Sequence, residues 1–297
     1  MITRLKAHQL TDGEFQDMVY MEILPANSKP DARLMMPPGP VVQCSTGSLS
    51  PFGGGSYWSV PAVLRGIKTL GWPAVELRLW AEWGQPDFVE VARKVRGQGV
   101  AVHTVHAPPD TERILGCAGL KEHAMALLMR CAAGAEAAGA RGIVVHAWDL
   151  RISGFHLPLL IDNLGALAHA MPAGVVLSVE TIPGYLKVLP DILRDCPDVM
   201  VTVDTQWVSL EDSWDFVYQI ASRVNNLHIQ TQVNTTGSGD VQLGRTQYGP
   251  YFYAEKVVRE FISRGFKGAI TLEPQGVAGT TPEQLRQALL LLEKWSL

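Results

Sequence analysis

Several features that mark other classes of protein are scarce or absent in this sequence. Cysteine is scarce: the 297 residues include four, all widely spaced, with no Cys-x-x-Cys pair and no histidine at zinc-finger spacing (Cys44, Cys117, Cys131 and Cys196). This spacing favours reduced, structural thiols over a disulfide framework. Basic residues are not in excess, because 25 Lys and Arg stand against 29 Asp and Glu and give a formal net charge of -4. We therefore expect no nucleic-acid partner, since binding to a phosphate backbone depends on positive charge.

Long apolar runs and glycine-rich phosphate loops are also missing. No stretch of about 18 apolar residues occurs, which argues against a transmembrane helix and a membrane partner. The first eight residues lead into polar sequence without the apolar segment of a signal peptide, so we expect a cytoplasmic protein. The run Gly53-Gly54-Gly55 lacks the Gly-x-Gly-x-x-Gly spacing, which argues against a dinucleotide-binding, doubly wound sheet.

The sequence does contain a regular alternation of strand and helix patterns from about residue 40 onward. Eight β-rich runs alternate with eight amphipathic stretches, which predicts an α/β protein with a (β/α)8 TIM barrel over residues 39–297. Residues 1–38 stand outside this repeat and are predicted to form an N-terminal extension, either an arm or a lid. The predicted strands are 41–44, 74–78, 100–103, 142–146, 175–179, 200–203, 226–229 and 269–272, and the predicted helices lie near 58–70, 86–98, 119–139, 156–170, 184–195, 211–223, 252–264 and 281–296.

Imidazoles and carboxylates occur at the carboxyl ends of six consecutive predicted strands. In a barrel of this kind these ends converge on one mouth, where a polar residue indicates site chemistry. Taken singly, a histidine at a strand end is more often structural than a ligand, and a Glu or Asp there can simply cap the following helix. A ring of them is costly to bury unless a cation or mutual pairing compensates the charge. The six residues are His106, His146, Glu180, Asp204, His228 and Glu273.

A divalent metal ion is the simplest compensation for the carboxylates among them, and a purely structural network is the alternative. Glu180, Asp204, His228 and Glu273 offer one nitrogen and three carboxylates, and no Lys or Arg occupies the equivalent positions of these strands. This donor set predicts one divalent ion. The oxygen-rich set favours Mn²⁺ or Mg²⁺, while Zn²⁺, Co²⁺ and Fe²⁺ also fit it.

Other residues that follow strands are candidates for binding a small-molecule substrate. Trp148 and Trp207 could stack on a sugar ring, with ordinary packing as the alternative. Arg245 could bind a hydroxyl, carboxylate or phosphate, with a solvated loop position as the alternative. Glu76 and Arg78 share one face of the second strand and are predicted to form a buried ion pair. The substrate-binding candidates are His106, His146, Trp148, Trp207 and Arg245.

Short motifs recur in a fixed order over roughly residues 40 to 297. They are Gly71-Trp72-Pro73-Ala74-Val75-Glu76-Leu77, His106-Ala107-Pro108, Val144-Val145-His146, Ser178-Val179-Glu180-Thr181, Thr202-Val203-Asp204-Thr205, Leu227-His228-Ile229, Leu243-Gly244 and Gly265-Phe266-Lys267-Gly268-Ala269-Ile270-Thr271-Leu272-Glu273. In order and spacing they resemble those of the xylose-isomerase-like TIM barrels, the sugar phosphate isomerase/epimerase superfamily that includes endonuclease IV.

The resemblance implies a metal-dependent isomerase or epimerase that acts on a sugar or a related hydroxy-carbonyl compound. It implies that Glu180, Asp204, His228 and Glu273 hold the metal, and that Glu180 and Glu273 are catalytic and move the substrate proton. A metal-bound carbonyl acidifies the neighbouring C–H group and stabilises the enediolate that forms. A homo-oligomer is compatible with this class, and the sequence does not choose between an isomerase and an epimerase.

The sequence also departs from the family pattern. Trp207 and Thr231 occupy positions where relatives often carry a histidine and an acidic residue, and Asp240-Val241-Gln242 stands where endonuclease IV has an Asp-x-His pair. These changes argue against a trinuclear zinc site and nuclease activity. Two other functions stay open: a lyase or dehydratase with the same metal and base, and a barrel that has lost turnover and only binds a ligand.

Overall fold

A computed structural model describes residues 39–56, 59–80, 87–109, 111, 115–117, 119–148, 156–184, 186–275 and 280–297. The predicted arm or lid of residues 1–38 lies outside the described residues. No helix of the described part is long and apolar enough to cross a bilayer.

Nine strands and nine α-helices make up the described part of the chain. The strands are β1 (Val41–Ser45), β2 (Ala74–Arg78), β3 (Ala101–His106), β4 (Gly142–Val145), β5 (Val176–Glu180), β6 (Met200–Asp204), β7 (Val224–Thr235), β8 (Val241–Arg245) and β9 (Ala269–Gln275). The helices are α1 (Val60–Leu70), α2 (Phe88–Arg96), α3 (Lys121–Ala138), α4 (Leu157–Ala170), α5 (Leu189–Asp195), α6 (Thr205–Glu211), α7 (Trp214–Gln219), α8 (Ala254–Ser263) and α9 (Pro282–Trp295).

Eight of the strands form one closed parallel sheet. The order runs from β1 through β7 to β9, and β9 pairs in parallel with β1, which closes the barrel. All eight predicted strands are present, so the predicted (β/α)8 barrel is confirmed. β8 is an additional strand that the sequence pattern did not predict, and it pairs antiparallel with the extended carboxyl end of β7.

The largest difference from the predicted elements lies between β6 and β7. One helix was predicted near 211–223, whereas the chain forms α6 and α7 with a break between them. α6 begins directly after β6 because the side chain of Asp204 accepts hydrogen bonds from the backbone of Gln206 and Trp207 and caps the helix. It ends at Asp212, whose left-handed φ of 49° cannot continue a helix.

The two faces of the barrel sheet differ in chemistry. Outward side chains such as Leu77, Val105 and Leu177 are fully buried and belong to the apolar core that also includes the inner faces of the helices. Most side chains that point into the barrel are polar. Because they are buried, they must form hydrogen bonds with one another. The Nε2 of Gln43 donates to the Oγ1 of Thr104 (2.6 Å) and of Thr271 (2.8 Å), which links three strands across the interior.

One glycine on α1 is required by a close approach of two backbone segments. A Cβ at Gly66 would lie 2.1 Å from the carbonyl oxygen of Leu49, in the turn after β1. Gly165 on α4 offers a contrast, because the nearest heavy atom to its Cβ position is the Sγ of Cys196 at 3.7 Å, an ordinary contact distance.

We expect Gly66→Ala to lower the free energy of unfolding by about 1–3 kcal/mol, the usual cost of overpacking. Helix propensity alone would favour alanine by about 1 kcal/mol, so the sign isolates the steric clash. Gly165→Ala is the matched control and should leave stability unchanged or raise it. Urea unfolding followed by circular dichroism measures both variants. Equal stabilisation by the two substitutions would contradict the packing of α1 on Leu49.

Candidate functional site

The carboxyl ends of the barrel strands bring ionisable side chains together at one mouth. We call this group the mouth cluster, and six of its members are at most 6% exposed, while the His146 side chain is 14% exposed. The strand registers place them at similar depth: Asp204 lies opposite His228, and Glu273 lies opposite Gln230, two residues farther along β7. The members of the mouth cluster are Glu76, His106, His146, Glu180, Asp204, His228 and Glu273.

His228 contacts three glutamates of the mouth cluster and has no exposed surface. Its Nε2 lies 3.1 Å from the Oε2 of Glu76, and its Nδ1 lies 3.6 Å from both the Oε1 of Glu180 and the Oε2 of Glu273. Nδ1 has no hydrogen-bond partner in the described structure. Burial lowers the pKa of His228, but the charges of Glu76, Glu273 and Glu180 outweigh it and hold that pKa well above its ordinary value. The same negative field favours a cation beside Nδ1.

Glu76 is fully buried and fixes the orientation of His228. Its Oε2 accepts hydrogen bonds from Thr104 Oγ1 (2.8 Å) and Asn226 Nδ2 (3.0 Å) in addition to His228. Burial alone would raise the pKa of Glu76, but the charge and hydrogen bond of His228 lower it to about 2. The predicted ion pair between Glu76 and Arg78 is wrong, because Glu76 pairs with His228 and Arg78 contacts Glu273 instead.

Glu180 is held by two histidines. Its Oε2 lies 3.0 Å from His106 Nε2 and 2.9 Å from His146 Nε2. The Nδ1 of His106 lies 2.7 Å from the carbonyl oxygen of Ala107 while its Nε2 faces Glu180, so both ring nitrogens lie beside acceptors. Burial raises the pKa of Glu180, but the charges of His146 and His228 and the hydrogen bonds from His106 and His146 hold it well below the usual range. Both predicted substrate-binding histidines therefore contact a carboxylate of the cluster.

Asp204 serves as a helix cap and as a member of the cluster. Its Oδ1 accepts the backbone N–H groups of Gln206 (2.8 Å) and Trp207 (3.3 Å). With the Gln230 amide oriented to satisfy its neighbours, the amide nitrogen donates to Oδ2 at 2.8 Å. Burial, followed by the negative charges of Glu180 and Glu273, raises the pKa of Asp204 well above its ordinary value. A bound cation would remove this repulsion.

Two overlapping groups of three offer metal-ligating atoms within 4.8 Å of one another among the described residues. One consists of His106, Glu180 and His228, and the other of Glu76, His228 and Glu273. Asp204 belongs to neither group. Three of the four residues predicted to hold the metal thus occur in these groups, and the unpartnered Nδ1 of His228 between Glu180 and Glu273 fits a divalent cation.

The remaining predicted substrate-binding residues occupy different environments. Trp148 is fully buried and its Nε1 donates to the carbonyl oxygen of Ile182 (2.8 Å), an arrangement that does not favour its stacking role, which stays a prediction. Trp207 is half-buried and lies parallel to Tyr248, with 6.3 Å between the ring centres. Arg245 is exposed and lies on β8, where a loop was predicted.

Arg78 and Gln230 are residues of the mouth that the sequence motifs did not assign to the site. The Nη1 of Arg78 lies 3.3 Å from the Oε1 of Glu273, while the Oε2 of Glu273 faces His228. The signal available in the sequence was the period of two along a strand: Arg78 follows Glu76 by two, and Gln230 follows His228 by two. Both residues border a cavity that opens to solvent and is lined by Gly47, Ser48, Arg78, Trp80, Gln230, Glu273 and Pro274.

Solved structures share this architecture at low sequence identity. D-allulose 3-epimerase from Methylomonas sp. superposes with a TM-score of 0.64 and 15% identity over 88% of this chain and 99% of that one. 3-Keto-D-glucoside 4-epimerase from E. coli superposes with a TM-score of 0.59 and 14% identity over 86% of this chain and 99% of that one. An AP endonuclease of family 2 from Brucella melitensis superposes with a TM-score of 0.61 and 15% identity over 83% of this chain and 96% of that one. No curated relative matches the chain by sequence.

A family model matches more than half of the chain and agrees with the closed barrel described above. It covers residues 64–295, from α1 to the end of α9, and includes every member of the mouth cluster. The chain belongs to the family of xylose isomerase-like TIM barrels.

Proposed function

We propose that the protein is a divalent-metal-dependent isomerase or epimerase of a sugar or a related hydroxy-carbonyl compound. The observation that carries the proposal is the Nδ1 of His228, which is buried without a hydrogen-bond partner in the described structure and lies 3.6 Å from a carboxylate oxygen of both Glu180 and Glu273. Family membership supports it, as do the two structural neighbours described as epimerases.

The residues proposed to hold the ion are Glu180, Asp204, His228 and Glu273. Three carboxylates and one imidazole favour Mn²⁺ or Mg²⁺, and Zn²⁺, Co²⁺ or Fe²⁺ also fit this donor set. Glu76 supports the ligand His228: by accepting a hydrogen bond from Nε2, it leaves Nδ1 as the nitrogen that faces Glu180 and Glu273. When bound, the ion would supply positive charge that acidifies a C–H group beside a carbonyl and stabilises the negative charge that develops.

Proton transfer is assigned to Glu180 and Glu273. They reach the same point from β5 and β9, which lie on either side of the β6–β7 pair, so they can approach a substrate from two sides. Glu180 is ionised at neutral pH because its histidine contacts hold its pKa low, and it is fixed in place by His106 and His146. An ionised, oriented carboxylate is able to accept a proton from carbon.

A lyase or dehydratase would use the same ion and base, and a non-catalytic binding barrel would use neither for turnover. The two enzymes differ in product, because elimination releases water or another leaving group. The binding barrel differs in that it catalyses no exchange of substrate hydrogen. His106, His146, Trp207 and Arg245 remain proposed as substrate-contacting residues, and no membrane or nucleic-acid partner is part of the proposal.

We expect Glu76→Gln to weaken divalent-ion binding about 10–100-fold, since a carboxylate behind a ligating histidine commonly contributes that much. Equilibrium dialysis with Mn²⁺ and elemental analysis of the purified protein measure the effect. Glu90→Gln, an exposed carboxylate paired with Lys94, is the matched control. Undiminished affinity in Glu76→Gln would contradict the support assigned to Glu76, and a protein that binds no divalent ion would end the metal proposal.

Turnover in D₂O should introduce deuterium at the carbon that loses its proton, because a carboxylic acid exchanges its proton with solvent. Glu180→Gln and Glu273→Gln should each reduce this exchange by about 10²–10⁴-fold, the contribution expected of a general base. NMR of a panel of ketoses, aldoses and 3-keto sugars detects the exchange, with Glu255→Gln on the outside of α8 as control. Undiminished exchange in both mouth variants would exclude the mechanism.

Cleavage of DNA at abasic sites should be absent. Trp207 and Thr231 replace residues that additional metal ions would need, and the chain carries no excess of positive charge. A nicking assay on an abasic duplex with Mn²⁺ or Zn²⁺ tests this expectation. Robust cleavage that disappears in Glu180→Gln would show that the site acts on nucleic acid after all.

A further inference from the structure

We propose that Arg78 determines substrate specificity by binding a carboxylate, so that the substrate is an acidic sugar or a related hydroxy-carbonyl acid. This inference rests on the proposed function, because it places the acid group beside the same metal-binding residues. It starts from a cationic side chain in the mouth to which the proposed function assigns neither metal ligation nor proton transfer.

The carboxylate of Glu273 lies between the guanidinium of Arg78 and the proposed metal position. Its Nη1 contacts the Oε1 of Glu273, while the Oε2 of the same glutamate faces the Nδ1 of His228. The side chain is 18% exposed and lines the mouth cavity. A molecule whose hydroxy-carbonyl group sits beside Glu273 therefore has its neighbouring atoms within reach of this guanidinium.

Glu273 does not saturate Arg78. The contact is a single one at 3.3 Å, longer than the 2.7–2.9 Å of a strong charge-assisted hydrogen bond and not the bidentate pairing that Arg forms with an optimally placed carboxylate. Among the described residues the Arg78 side chain makes no second ion pair and no other side-chain hydrogen bond, and it is partly exposed. The guanidinium therefore keeps donors for another acceptor.

The surroundings of Arg78 hold the side chain in place. The guanidinium carbon lies 5.0 Å from the ring centre of Trp80, and the backbone N–H of Arg78 donates to the Oγ1 of Thr46 (2.9 Å). Gly47 makes room for it, because a Cβ at this position would lie 2.8 Å from the Cδ of Arg78. A preorganised guanidinium loses little conformational freedom when it binds a planar anion.

The charge of the cavity favours a carboxylate over a phosphate. Among the described lining residues Arg78 is the basic one, and it stands beside the acidic Glu273. A phosphate monoester carries a charge of about -1.5 to -2 near neutral pH and is generally bound by several donors or cations. One guanidinium matches the single charge and planar geometry of a carboxylate.

The test compares three probes that differ only at carbon 6: D-fructose, D-fructuronate and D-fructose 6-phosphate, together with the corresponding glucose series. Binding to the Mn²⁺-loaded protein is measured by isothermal titration calorimetry and saturation-transfer NMR. The wild type should bind the uronates at least about 10-fold more tightly than the neutral sugars, as expected for a charge-assisted contact. Arg78→Gln should abolish this preference, so that the uronates and the neutral sugars bind to the variant with affinities within about twofold of each other.

Arg259→Gln, an exposed arginine on α8, is the matched control and should keep the preference. Arg78→Lys keeps the charge but loses the planar fork, and Gly47→Ala displaces Arg78 without removing it. Both should reduce the preference, and they carry the test if Arg78→Gln does not fold. Equal loss of acidic and neutral binding would show that Arg78 only positions Glu273 and would overturn the proposal.

Tighter binding of the phosphates than of the uronates, or no acid preference in the wild type, would also overturn it. Mn²⁺ affinity and solvent exchange are measured on the same preparations. A protein that binds Mn²⁺ and catalyses exchange but shows no acid preference refutes the role of Arg78 alone, whereas a protein that binds no divalent ion refutes the proposed function.

Discussion

Burial of several carboxylates around one imidazole is the constraint on which the mouth of this barrel depends. His228 contacts Glu76, Glu180 and Glu273, and none of the four side chains is more than 7% exposed. Charges removed from water must be compensated nearby, because their hydration is lost. Nearby carboxylates outweigh the effect of burial and raise the pKa of His228, and burial together with the charges of Glu180 and Glu273 raises the pKa of Asp204. A divalent cation would relieve this excess of negative charge.

The closed sheet explains how these groups meet. Parallel pairing of β7 with both β6 and β9 places His228 between Asp204 on one side and the strand of Glu273 on the other. Inward positions below them are polar and hydrogen-bonded, so Glu76 rests on Thr104 and Asn226 rather than on apolar side chains. The outward face carries the apolar core. The outward face of the sheet thus packs in the apolar core, and the inward face carries the ionisable groups of the mouth cluster.

The two oxygens of each catalytic candidate face different partners. In Glu180, Oε2 contacts His106 and His146 while Oε1 faces His228. In Glu273, Oε1 contacts Arg78 while Oε2 faces His228. One oxygen of each carboxylate is therefore held by a neighbour, and the other points toward the proposed metal position. Such orientation by surrounding side chains is what preorganised sites require.

The sequence by itself determined the architecture and most of the mouth cluster. The barrel follows from local patterns, since period-two strands and period-3.6 helices record which face is buried. The strand ends then identified His106, His146, Glu180, Asp204, His228 and Glu273, because parallel strands in a barrel share one mouth. The break between α6 and α7 does not show in these patterns, since it depends on the left-handed backbone of Asp212, which hydrophobic periodicity does not record.

Pairing within the cluster was decided only by tertiary structure. Glu76 and Arg78 are neighbours on one strand face, yet strand closure brings Glu76 against His228 and Arg78 against Glu273, each more than 150 residues away in the chain. The antiparallel pairing of β8 with β7 and the burial of Trp148 likewise depend on tertiary structure. Periodicity specifies the face on which a side chain lies, but its partner depends on the register and closure of strands distant in sequence.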